Sequence, residues 1–137
     1  MTVTPLAIIP YLTQRDAKAA IAFYATAFGA EEVSRQVAQD GQRLMHTELR
    51  IGGATLMMAD AFPEWGGPPA PSPAQPSPVA VTVALGTPEE VDAMHDSAVA
   101  AGATSGMAPH DAFWGARFAT VTDPFGHRWM INGPMPA

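Results

Sequence analysis

The sequence predicts an α+β fold of two tandem βαβββ modules, whose two related half-sheets leave a cavity between them. Three observations carry this. First, the chain repeats: an offset of 73 residues takes Gly29 onto Gly102, Gly53 onto Gly126, Met57 onto Met130, Leu12 onto Leu85 and Thr47 onto Thr120. Second, both halves have the same order of parts, an apolar strand, a helix ended by glycine, then strands that close on a glycine turn. Third, six of the fourteen residues from Trp65 to Pro78 are proline, so neither a helix nor a central strand crosses that stretch. A duplicated unit of this kind cannot bury its apolar face alone, so the copies pack together. The predicted divisions are 1–64 for the first module, 65–78 for the connection and 79–137 for the second.

In the first module, Leu6–Leu12 reads as a strand, with Pro10 marking an edge, a bulge or a strand end. Asp16 caps an alanine-rich helix that carries Ile21, Tyr24 and Phe28 on one stripe and stops at Gly29. Val33–Ala38 is a short strand, Asp40-Gly41 a hairpin turn, and Leu44–Ile51 alternates before Gly52-Gly53 turns the chain into Ala54–Ala59. The Pro-rich connection is a candidate flexible loop over a site. In the second module Val79–Leu85 is a strand. Thr87-Pro88-Glu89-Glu90 starts a helix, with Thr87 as N-cap, Pro88 at N1 and Glu90 completing a capping box. That helix runs to about Ala101 and stops at Gly102. Thr104–Pro109 is a weak strand, Arg117–Thr122 a strand, Asp123-Pro124-Phe125-Gly126 a turn, and His127–Asn132 the last strand.

Composition narrows the function. The net charge is −6, and only seven lysines and arginines are present with no basic run, which argues against nucleic acid or an anionic membrane as partner. Cysteine is absent, so disulfides and thiolate chemistry are excluded, which fits a cytoplasmic location. Met1–Ile9 lacks the pattern of a signal peptide, and no apolar run approaches the ~20 residues of a membrane helix.

The duplication, together with FYATAFGA, HTELRIGGATLMMADAFPE and FWGARFATVTDPFGHRWMIN, resembles the vicinal-oxygen-chelate superfamily of glyoxalases, extradiol dioxygenases and bleomycin-resistance proteins, most closely its PhnB-like branch. The resemblance covers essentially the whole chain. It implies cupped half-sheets, a small-molecule ligand and a homodimer whose sites use both modules. It says little of the reaction, because one fold hosts many activities.

In metal-dependent relatives, side chains from the first and last strands of each module grip an ion. Seven residues before the acidic helix start, and four after the turn glycine, the corresponding positions here are Ile9, Met57, Thr82 and Met130. None is a good ligand for Zn, Fe, Ni or Mn, which want imidazole or carboxylate. A slip of one residue gives Ile8, Pro10, Leu56, Met58, Val81, Val83, Trp129 and Ile131, which is no better. No metal and no other cofactor is therefore expected. Met57 and Met130 turn a polar cup into a soft apolar one, unless they are ordinary core.

Strand alternation places Arg128, Met130 and Asn132 on the cup face, with Trp129 beneath the helix and His127 as scaffold. The same logic puts His46 and Glu48 on the cup face and Met45, Thr47 and Leu49 against the helix. His46 and Glu48 are weak candidates for an acid–base pair or a fragment of a metal site, or else a structural hydrogen-bonded pair. His95 reads as a solvated helix residue, and His110 lies in a loop near the ligand. Phe113 and Trp114 enter a cup-facing strand beside Arg117, suited to stacking on a planar ligand and pairing with a carboxylate. Phe62 and Trp65 are either a lid or a hydrophobic plug, and Tyr11 offers a hydroxyl to orient a ligand.

Besides a scaffold-like dimer with no ligand, two functional classes follow. One is a metal-free binding protein holding a planar, partly apolar molecule, with antibiotic sequestration as the specific expectation. The other is a lyase, isomerase or oxygenase that uses His46 and Glu48, with or without a displaced metal. A methyltransferase is disfavoured, since no Gly-rich nucleotide-binding turn follows a strand.

Overall fold

The computed structural model describes residues 1–137. The first module consists of β1 (Tyr11–Gln14), α1 (Ala17–Phe28), β2 (Glu31–Val37), β3 (Leu44–Ile51) and β4 (Ala54–Asp60). A single 3-10 turn, Pro63–Trp65, follows. The second module consists of β5 (Ala80–Ala84), α2 (Pro88–Ala101), β6 (Thr104–Ala112), β7 (Ala116–Thr122) and β8 (Arg128–Pro134). Each module forms one four-stranded mixed sheet, in the order β1-β4-β3-β2 and β5-β8-β7-β6. The first strand pairs parallel with the last and the other pairs are antiparallel. This is the βαβββ duplication expected from the sequence.

The helix ends follow from their residues. Asp16 accepts a hydrogen bond from the Ala19 amide, and Gly29 takes the left-handed conformation that ends α1. Thr87 Oγ1 caps the helix by accepting from the Glu90 amide and donates to the Glu90 carboxylate, a side-chain bond in place of the return bond that a capping box makes to the Thr87 amide. Two strands differ from expectation. The segment before Pro10 does not pair, because proline has no amide to donate, so β1 begins only at Tyr11 and leaves Leu6 and Ile8 exposed. β6 runs on to Ala112, its register absorbing two irregularities against β7. Met45 was placed against the helix but is exposed, and only Thr47 and Leu49 of that set are buried.

The core lies between the two sheets. α1 covers β3 and β4, α2 covers β6, β7 and β8, and the two helices pack on each other. Phe23, Tyr24 and Phe28 of α1, Leu49 and Met58 of its sheet, and Val121 and Trp129 of the other form one buried cluster. Trp129 is packed beneath a helix as expected, but that helix is α1 of the other module, with ring centroids 4.6 Å from Phe28 and 5.3 Å from Tyr24. The modules thus meet helix side to helix side. In a single copy the opposite face of each sheet is open.

The Pro-rich connection is seated rather than free. It carries a Ser72–Gln75 bridge, and the Ser77 amide donates to the Gly126 carbonyl at 2.8 Å. No helix is long and apolar enough to cross a membrane.

Candidate functional site

The open faces hold the predicted site residues, and strand register orders them in two rows. In the first sheet, Tyr11 lies opposite Met57, Met57 opposite Glu48, and Glu48 opposite Ser34. In the second, Thr82 lies opposite Met130, Met130 opposite Thr120, and Thr120 opposite Met107. Met57 and Met130 therefore occupy matching places. The residue that matches Thr82 is Tyr11, not Ile9, which precedes the strand. Both Tyr11 and Thr82 stand five residues before their helix caps, Asp16 and Thr87. The 73-residue offset slips here because α1 has 12 residues and α2 has 14.

Tyr11, Met57, Thr82 and Met130 supply a phenol, an alcohol and two thioethers. That donor set does not fit a hard divalent cation, which takes imidazole or carboxylate. No three His, Cys, Asp or Glu side chains converge elsewhere in the chain to replace it.

The second sheet carries an aromatic corner. Trp114 Nε1 donates to Asn132 Oδ1 at 3.1 Å, and Asn132 lies on the same face as Met130. The Trp114 ring meets Phe118 edge to face at 5.1 Å and Phe113 at 5.0 Å, with Phe118 also edge-on to His110 at 6.1 Å. Trp114 is half exposed and Phe113 almost wholly so. Phe118 was missed in the sequence, although it lies two residues before Thr120 and strand alternation alone places it on this face. His110 joins the corner, its Nδ1 bonded to the Ala108 carbonyl oxygen at 2.9 Å.

The first sheet carries a polar pair. Tyr11 Oη lies 2.9 Å from His46 Nδ1, with the rings 5.6 Å apart. Burial pushes the Tyr11 hydroxyl above its ordinary pKa, so the phenol keeps its proton at neutral pH. His46 and Glu48 are half-buried and share this face.

Other expected residues go elsewhere. Arg117 is turned to the helix side, where its guanidinium bonds Asp92 of α2 at 2.8 Å and Asp111 at 3.0 Å. Those two hydrogen bonds raise its pKa further, and the pairing commits it to holding α2 against β6 and β7. Arg128 stays on the open face, exposed and in no ion pair among those of the chain. Phe62 and Trp65 stack on each other at 4.6 Å, with Arg43 4.3 Å above Phe62. Phe62 is buried and Trp65 exposed, so the pair plugs the end of β4. His127 is buried scaffold, bonded to the Thr13 carbonyl oxygen. His95 is not a solvated residue: it is buried, with Nε2 2.7 Å from Ser105 Oγ, because its face of α2 packs on β6.

A cleft of about 820 Å³ lies at the junction of the modules. Ile8, Phe28, Leu56, Val83, Met94 and Trp129 line it, and no charged side chain reaches it. Ile9 and Thr82 also border it, so it reaches the β5 end of the Met130 row, while Met57 and Met130 themselves do not line it.

Comparison with known proteins agrees with this architecture. A curated, uncharacterised protein of Mycobacterium bovis is 41% identical over 129 residues, covering 94% of this chain and 84% of its own. A crystal structure of a glyoxalase/bleomycin resistance protein/dioxygenase from Nocardioides superposes with a TM-score of 0.74 at 26% identity, covering 100% of this chain and 88% of that one. TioX from Micromonospora sp. ML1 superposes with a TM-score of 0.73, also at 26% identity, covering 96% and 100%. The family described as the Glyoxalase/Bleomycin resistance protein/Dioxygenase superfamily matches residues 6–131, and with that match across nearly the whole chain, this protein belongs to that superfamily.

Proposed function

We propose that the protein binds a planar, partly apolar small molecule on its open sheet faces, without a metal, and sequesters it, an aromatic antibiotic being the specific class. The observation that carries this is the Trp114–Phe118 corner, half exposed and oriented by the Asn132 hydrogen bond. A solvent-facing indole fixed by a hydrogen bond is preorganised for stacking, which contributes about 0.5–1.5 kcal/mol per aromatic pair beyond area burial. Met57, Met130 and Met107 give the adjoining surface the soft, adaptable contact that suits an irregular apolar ligand. Tyr11, Thr82 and Arg128 are the polar orienters. A second copy of the chain is proposed to cover the open faces, so that one cup takes a first module from one copy and a second module from the other.

The test is a titration of planar aromatic antibiotics followed by tryptophan fluorescence. Trp114→Ala is expected to weaken the affinity of any compound that binds by roughly tenfold, from the loss of one stacking contact and its buried area. Unchanged affinity would remove Trp114 from the site. A second reading, an isomerase or lyase acting through His46 and Glu48, is favoured by the Tyr11–His46 hydrogen bond.

A further inference from the structure

We propose that the cleft between the modules is a second binding site, separate from the open sheet faces, for a compact, uncharged, aliphatic molecule of the saturated polycyclic kind.

The lining sets the chemistry. The floor is the buried seam of the two modules: Phe28 of α1, Leu56 of β4 and Trp129 of β8. Val81 and Val83 of β5 also border the cleft, and Met94 of α2 adds a pliable thioether. The chain has thirteen acidic and seven basic residues, and none of them borders the cleft. The indole N–H of Trp129 is already donated to Asp123 at 2.9 Å, so its ring offers apolar surface alone. Thr55 and Thr82 add only hydroxyls. A neutral lining is matched by a neutral guest, because a charge brought into it would lose water and gain no partner. The aromatic rings belong to the floor and the rest is branched aliphatic, which favours a rounded saturated guest over a flat aromatic one.

A second observation is an apolar wall with nothing against it. Ala7–Pro10 borders the cleft, yet residues 1–9 make no backbone hydrogen bond, and Ile8 is 93% exposed. The segment is anchored at one end, where the Pro10 carbonyl accepts from the Met57 amide at 3.0 Å. A guest in the cleft would take the Ile8 side chain out of water, a gain that scales with the apolar area covered.

Size selects the occupant. The volume of about 820 Å³ falls within the ~300–1,000 Å³ of small-molecule sites. The surface exposed inside the cleft is far short of the ~800 Å² that each partner of a stable dimer buries. The guest would touch Phe28 and Leu56 of the first module and Val83 and Trp129 of the second, so its binding free energy adds to the stability of the whole chain.

The experiment uses the intact protein and 1-adamantanol, an uncharged saturated cage. Calorimetry measures binding, and methyl NMR locates it. The wild type is expected to bind, with a raised thermal midpoint and shifted methyl signals for Leu56, Val83 and Met94 but not for Met57 or Met107. 1-Adamantanamine, the same cage with a positive charge, is expected to bind at least about tenfold more weakly. Ala54 borders the cleft and is exposed, so Ala54→Trp fills the space without disturbing buried packing. That variant is expected to lower the affinity at least about tenfold, and Ile8→Ala about threefold or more. Trp114→Ala is expected to leave it unchanged, which separates this site from the planar-ligand reading. No binding by the wild type overturns the proposal, as does equal binding of the charged cage or full binding by Ala54→Trp. If the wild type does not bind and Ala54→Trp halves the mass seen by light scattering, the cleft is a seam between two copies and the proposal is equally overturned.

Discussion

Asp123 is the residue on which the two modules turn. Its carboxylate is buried and accepts four hydrogen bonds: the amides of Phe125 and His127, the indole of Trp129 and, at 2.5 Å, the hydroxyl of Tyr24 from the other module. A buried charge is tolerable only when so completely satisfied. Tyr24→Phe removes one charge-assisted bond and leaves the others, so we expect a loss of about 1.5–3 kcal/mol in urea unfolding. The same pair sets an alkaline limit. Burial first, then the Asp123 charge, raises the Tyr24 pKa well above 10, so the folded state holds its proton where the unfolded chain releases it. Stability from this source is intact below about pH 10 and falls as pH rises beyond it. Unfolding midpoints measured from pH 8 to 11 should decline for the wild type and decline less for Tyr24→Phe.

Among the elements, the turn Asp123–His127 and the Pro-rich connection are a single packed unit. Gly126 has φ +93°, and a Cβ there would lie 2.5 Å from the Ser72 backbone. Gly126→Ala therefore meets both a strained backbone and a clash that no rotamer relieves. A destabilisation of about 1–3 kcal/mol or more is expected, with faster proteolysis within residues 66–78 as its local signature. If the variant unfolds like the wild type, the connection is not held by this contact. The contact also explains why a stretch read as a flexible loop is ordered. The prolines exclude helix and strand, but they cannot show which surface the chain meets, since Gly126 lies some fifty residues downstream.

At the scale of the molecule, helix-side packing buries Trp129, Tyr24 and Phe28 and leaves both site-bearing faces to solvent. Open faces with Met57 on one sheet and Met107 and Trp114 on the other are unfavourable to leave uncovered, which is the physical reason to expect a homodimer. Light scattering should give twice the mass of the 137-residue chain; a monomer at micromolar concentration would mean that each face works alone. The division of labour between sequence and fold follows the range of the interactions. Alternation, caps and turn residues are local, so Asp16, Thr87, Gly29 and the rows holding Met57 and Met130 could be read directly. Ile9 was misplaced by two residues because the equivalence of Tyr11 with Thr82 depends on strand pairing, and the offset between copies is broken by unequal helices. His95 and Arg117 were misassigned for the same kind of reason: Ser105 and Asp92 reach them only through the packing of α2 on β6 and β7. Local chemistry and periodicity determined the two modules and the character of their faces. Which polar groups found partners, and that Tyr11 would settle on His46, was decided by contacts between residues far apart in the chain, and no spacing records those.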